Sequence, residues 1–144
     1  MTEQYESHGI SALCIEDKQF PKVNSFIKGR LRSLGFALKG MWLLLATEDS
    51  IKVQSFLAIL IIIAGFYFDI SSVEWMLQLL AIGLVLVAES LNTAIEKVAD
   101  FVHPDYHEKI GFIKDIAAGG PSFAAIISLI IIGIIYVPKI LVFF

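Results

Sequence analysis

The chain has one cysteine, Cys14, in 144 residues, so it cannot form an internal disulfide or a metal site built from cysteines alone. Charge is scarce as well: Asp, Glu, Lys and Arg make up 17% of the residues, against roughly 25% in soluble domains. No lysine or arginine lies between Lys52 and Lys97, and Ile116–Val137 runs 22 residues without a charged side chain. Stretches of that kind exclude an ordinary soluble domain. There is no glycine-rich P-loop, and the chain is too short for a protein-kinase fold. The net charge of −3 gives no case for nucleic acid as a partner, and the basic residues gathered in the first 52 positions are better matched to anionic lipid headgroups. Thr2, Glu3, Gln4 and Glu6 stand where a signal peptide would need a basic region, which predicts that there is none.

What the chain has instead is apolar sequence, 57% of its residues with a mean hydropathy of +0.78. This composition predicts an all-α integral membrane protein. Residues 1–21, with mixed charge, Gly9 and Pro21, show no sustained period and read as a cytoplasmic extension. From residue 23 to 46, Phe26, Ile27, Leu31, Leu34, Leu38, Met41, Trp42 and Leu45 recur at helical spacing while Lys28, Arg32 and Lys39 take another face. That is the pattern of an amphipathic helix lying in the interface, its cationic stems reaching to the headgroups. Thr47-Glu48-Asp49-Ser50 then interrupts the pattern, and a first span follows over 51–68. Ser71 and Glu74 have capping-box spacing and predict that a second span starts at 72 and runs to 102. A connector, 103–115, holds Pro104 and Gly111 as breakers, and a third span covers 116–138. Trp42 and Trp75 suit interface anchors, and Asp100 suits a solvated or capped helix end. Lysine and arginine are abundant before the first span, present in the connector and absent between the first and second spans, so the positive-inside rule places the amino terminus and the connector in the cytoplasm. A monomer this small would hardly enclose two substrates, which predicts an oligomer.

Inside the second span lie two acids, Glu89 and Glu96, with Asn92 between them. Seven residues at about 100° each return to nearly the same side of a helix, so Glu89, Asn92, Glu96 and Asp100 form one polar stripe. Counting back from Lys97 puts Glu89 about 12 Å deeper, and Glu96 at the interface. A charge in hydrocarbon costs roughly 2.5–3.5 kcal/mol on insertion scales, so a functional site is the first reading of such acids. A carboxylate at Glu89's depth suits a general base for a lipid hydroxyl, assisted by Asn92. Glu48 and Glu96, at the interface, suit a magnesium ion shared with phosphates, and Lys114 beside Asp115 suits charge neutralisation of a transferring phosphoryl group. An ion-conducting or purely structural oligomer would also place acids along a helix seam.

Glu89-Ser-Leu-Asn-Thr-Ala-Ile-Glu-Lys-Val-Ala-Asp100, followed by Tyr106-His107 and Lys114-Asp115-Ile-Ala-Ala118, resembles the signature of the prokaryotic integral-membrane diacylglycerol kinases, shared by the related undecaprenol kinases. The similarity runs from Val23 to Leu141 and takes in Lys39-Gly40 and Glu48. It implies a homotrimeric, ATP- and Mg2+-dependent kinase of lipid alcohols in the bacterial inner membrane, with active sites shared between subunits and open to the cytoplasm. Diacylglycerol would be the acceptor, with undecaprenol the alternative. By matching positions, Glu89 is the proton acceptor supported by Asn92, and Glu48 and Glu96 hold the metal. Asp105, Tyr106, His107, Lys114 and Asp115 face the nucleotide. Three positions depart from the pattern: Asp105 replaces a glutamate, Arg30 stands near an arginine expected at Gly29, and Phe36 stands where some members carry tyrosine. A fourth departure, Gly119-Gly120-Pro121, predicts a kink or restart in the last helix.

Overall fold

The structure, a computed structural model, describes residues 23–105 and 107–143. The expected extension 1–21 lies outside the described residues. Four helices follow one another among those described: α1 Val23–Thr47, α2 Asp49–Tyr67, α3 Ser72–Val102 and α4 Glu108–Phe143. By length and composition α2, α3 and α4 are each able to cross a membrane. The chain divides into two units at Leu38/Lys39. Within the first, Ser33 Oγ donates to the Gly29 carbonyl at 3.0 Å and the Arg32 guanidinium lies 5.7 Å from the centre of the Phe36 ring. Leu31, Leu34 and Phe36 are exposed there, as a helix meant for an apolar medium requires.

In the second unit α3 packs on α4 and on α2. The capping box is present as expected: the Ser71 N–H donates to Glu74 Oε2 at 2.7 Å and the Glu74 N–H to Ser71 Oγ at 3.4 Å. The α2–α3 turn is tight, with Asp69 at a φ of 45°, a left-handed value that aspartate tolerates better than most residues. Gly65 lets the hairpin close, because a Cβ there would meet the Trp75 ring at 2.8 Å. Phe66 packs on the same ring at 4.8 Å, so Trp75 closes the hairpin in addition to its expected interfacial role.

The core beside this turn is Ile70, Ile135 and Tyr136. Its polar atoms are paired, as burial in an apolar surround demands. Gln78 is fully buried; its Nε2 donates to the Ile61 carbonyl at 3.3 Å, and the Tyr136 hydroxyl donates to Gln78 Oε1 at 2.7 Å. Lys139 pairs with Glu74 at 3.3 Å, fastening the end of α4 to the start of α3.

Two sequence expectations differ from the structure. α4 begins at Glu108, whereas the sequence predicts a connector as far as Asp115. Glu108, Lys109, Lys114 and Asp115 are therefore helical, an overhang of charged turns that an apolar period cannot reveal. The restart expected at Pro121 is also absent, since α4 is helical without interruption from Glu108 through both Pro121 and Pro138. Small neighbours Gly119 and Gly120 leave room for the ring, with open space around both positions. Prolines in membrane helices are tolerated when nearby groups adjust, and Ser122 Oγ donates to the Ala118 carbonyl at 3.0 Å in that turn.

Candidate active site

Glu89, Asn92 and Glu96 lie on the second half of α3, held there by an uninterrupted helix. Asn92 is buried, 8% exposed, and its Nδ2 donates to Glu96 Oε1 at 2.9 Å. Its Oδ1 is buried with no hydrogen-bond partner. A buried carbonyl oxygen left alone costs roughly 1–3 kcal/mol, so this atom awaits a donor or a cation. Glu89 is half-buried one turn deeper, and no side chain among the described residues bonds to it.

Glu48 reaches the same end of α3 from another helix. It is the N-cap residue of α2, but its side chain does not cap; instead Lys97 Nζ lies 2.9 Å from Glu48 Oε1, and Thr47 Oγ1 donates to the same oxygen at 2.9 Å. The Lys97 hydrogen bond, with help from Thr47, holds the Glu48 carboxyl below the ordinary glutamate range. Lys97 directly follows Glu96, so this ion pair brings the expected metal carboxylates to one level of the bundle. Lys97 serves in the sequence only as a depth marker, and its pairing with Glu48 was not foreseen.

The remaining expected residues cluster around the α3–α4 connection. Asp100 does not cap α3; it pairs with Lys114, tying the end of one helix to the start of the next. Lys114 is thus already beside a carboxylate. His103 Nδ1 contacts the Asp105 carbonyl at 2.9 Å, and the His103 and His107 rings lie 5.2 Å apart. The Lys109 N–H donates to His107 Nδ1 at 3.2 Å, which caps α4 and requires that nitrogen to be unprotonated. Asp105 and Asp115 are exposed, and Tyr106 lies outside the described residues. Among the described residues no three histidine, cysteine, aspartate or glutamate side chains converge as a metal cage.

Comparison with known proteins identifies the family of the chain. A family model described as prokaryotic diacylglycerol kinase matches residues 35–136. The chain belongs to that family. It is 36% identical over 118 residues to an undecaprenol kinase of Bacillus subtilis, covering 82% of this chain and 93% of that protein. A diacylglycerol kinase of Synechocystis is 32% identical over 77% of this chain and 64% of its own length, and one of Escherichia coli is 27% identical over 69% and 82%. The matched region contains every expected site residue from Glu48 to Asp115.

Proposed function

We propose that this protein transfers the γ-phosphoryl group of MgATP to the hydroxyl of a membrane lipid alcohol. The observation that carries the reading is the arrangement along α3: Glu89 half-buried and without a side-chain partner among the described residues, one turn from a buried Asn92 bonded to the half-buried Glu96, and Glu48 brought to the same end by Lys97. Family membership makes the chain a lipid kinase, and these are the residues to which we assign that activity.

In the reaction the acceptor's O–H bond breaks as its oxygen bonds to the γ-phosphorus. The proton passes to a Glu89 carboxylate oxygen, the bond from the γ-phosphorus to the bridging oxygen breaks, and ADP leaves. Asn92 holds Glu96 in place through its Nδ2. The donor set fits magnesium: Glu48 and Glu96 supply hard carboxylate oxygens, and the unpartnered Asn92 Oδ1 is an oxygen of the kind such a cation accepts. Two protein carboxylates with phosphates and water suffice for Mg2+, so a cage of three is not needed. When bound, the ion offsets phosphate charge. Lys97 must release Glu48 for that role. Asp105, Tyr106, His107, Lys114 and Asp115 receive the nucleotide, with Lys114 meeting phosphate charge in exchange for Asp100.

Both acceptors remain consistent with the site, which needs only a hydroxyl at Glu89's depth. Diacylglycerol, giving phosphatidic acid, is named by the family and by several relatives. Undecaprenol is favoured by the higher identity and fuller coverage of the Bacillus relative. The protein acts as a homotrimer in the bacterial inner membrane, as the family resemblance implies, and the charge asymmetry of its loops supports an amino terminus and site on the cytoplasmic side. Purified protein given ATP labelled in the γ-phosphate, magnesium and each lipid in turn should label the lipid. No transfer to either would overturn the kinase reading, and magnesium-independent transfer would overturn the roles of Glu48 and Glu96.

A further inference from the structure

Two ion pairs stand in the way of the proposed reaction. Lys97 Nζ lies 2.9 Å from Glu48 Oε1, on a carboxylate assigned to the metal, and Lys114, assigned to phosphate, is held by Asp100. Both pairs must part before MgATP binds as proposed. Lys97 and Asp100 are then left without partners, and their charges are opposite.

Their placement lets them meet. Asp100 follows Lys97 by three residues in α3, and helical side chains three apart are neighbours, with Cβ atoms roughly 5–6 Å from each other. The Lys97 side chain is 64% exposed and that of Glu48 22%, so the lysine can turn through water while the carboxylate keeps its place. Asp100 is exposed as well and open to receive it. Glu96, next to Lys97 in the chain, is no substitute, because adjacent side chains on a helix do not face each other and its carboxylate is already engaged by Asn92.

We infer that Lys97 is a positioning residue that passes from Glu48 to Asp100 as MgATP binds, so that freeing Glu48 for the metal and freeing Lys114 for phosphate are coupled. Binding then gives up the two pairs of the resting site and gains one, a net loss of a single pair. Without the hand-over both pairs are lost outright. The inference rests on the kinase reading above.

The test uses the full-length protein in detergent with no lipid acceptor. The paramagnetic resonance signal of free Mn2+ measures metal binding without nucleotide, and equilibrium dialysis gives the dissociation constant of the magnesium complex of a non-hydrolysable ATP analogue. Lys97→Met should tighten Mn2+ binding about three-fold, the scale of one exposed ion pair, because no ammonium then competes for Glu48 while Lys114 still holds Asp100. The nucleotide complex should bind with unchanged affinity, since the variant, like the wild type, gives up one pair net. In an Asp100→Asn background nothing receives the lysine, and there Lys97→Met should tighten the nucleotide complex about three-fold.

Tightening of the nucleotide complex by Lys97→Met in the otherwise wild-type chain overturns the inference, because it leaves the displaced lysine in water. Weakening overturns it too, by making Lys97 a phosphate ligand in its own right. So does Mn2+ binding that the variant fails to tighten, or a double variant that binds the nucleotide complex no better than Asp100→Asn alone. Lys97→Gln repeats the measurements if Lys97→Met assembles poorly. Failure of the kinase reading is seen separately, as wild-type protein that labels no lipid alcohol.

Discussion

At the scale of single residues, the proposed chemistry turns on Glu89, a half-buried acid with no side-chain partner among the described residues. Glu89→Gln keeps the shape and removes the base, so lipid phosphorylation should fall by about 10²–10⁴-fold while the assembled protein elutes unchanged from a sizing column. Turnover within a few-fold of wild type would take the base role away from Glu89. Glu48 offers a pH-dependent counterpart. Its carboxyl is held below the ordinary range chiefly by Lys97, so the folded state gains from this pair above that range and loses the gain as pH falls through the lowered value. Lys97→Met should therefore flatten the loss of thermal stability on going from neutral to strongly acidic pH, and a wild-type acid limb unchanged in the variant would show that the pair contributes nothing. The stripe of Glu89, Asn92 and Glu96 was legible in the sequence because helical periodicity alone puts those residues on one face. The Glu48–Lys97 and Asp100–Lys114 pairs were not, because each joins residues on two helices and no period relates them.

At the scale of the elements, the second span was readable to the residue because the Ser71–Glu74 box marks its start chemically. The start of α4 was not, since Glu108–Asp115 is charged, follows a proline and contains Gly111, all of which resemble a loop. The α2–α3 hairpin makes a demand that composition hides. Gly65→Ala would put a methyl carbon 2.8–2.9 Å from Trp75 ring atoms and 3.1 Å from Ile70 Cδ1. The hairpin would have to open, at a cost of about 1–3 kcal/mol. That variant should lower the thermal midpoint of the purified protein, and pairing it with Trp75→Leu should recover much of the loss. Pro121 predicts the opposite sign. It lacks the N–H that would bond the Ala117 carbonyl within α4, so Pro121→Ala restores a hydrogen bond in a helix that already continues without interruption through this position. The midpoint should rise. A fall would show that proline fits something the helix needs, such as a bend shaped to its neighbours.

At the scale of the whole molecule, what matters is how little of the apolar surface the second unit buries within itself. The membrane-spanning windows of its helices are only 17%, 22% and 17% buried, and residues as large as Leu80, Phe101, Leu129 and Ile134 are mostly exposed. Lipid can cover such surface, and so can other copies of the chain. The proposed site would gain from copies, because within one chain Lys114 is engaged by its own Asp100. A trimer whose sites are shared between neighbours makes a prediction that a self-contained site does not. Glu89→Gln and Lys114→Met chains, each inactive alone, should regain activity when mixed before assembly. If Glu89 comes from one subunit and Lys114 from the next, a site is complete when one chain is of the Lys114→Met type and its neighbour of the Glu89→Gln type. Random assembly at equal proportions meets that condition for about one site in four, so about a quarter of wild-type activity should return. If both residues served the same site from one chain, no mixture would contain a complete site and activity would stay at background. Intermediate mixing ratios then serve as a control, because the recovered activity must follow the product of the two fractions.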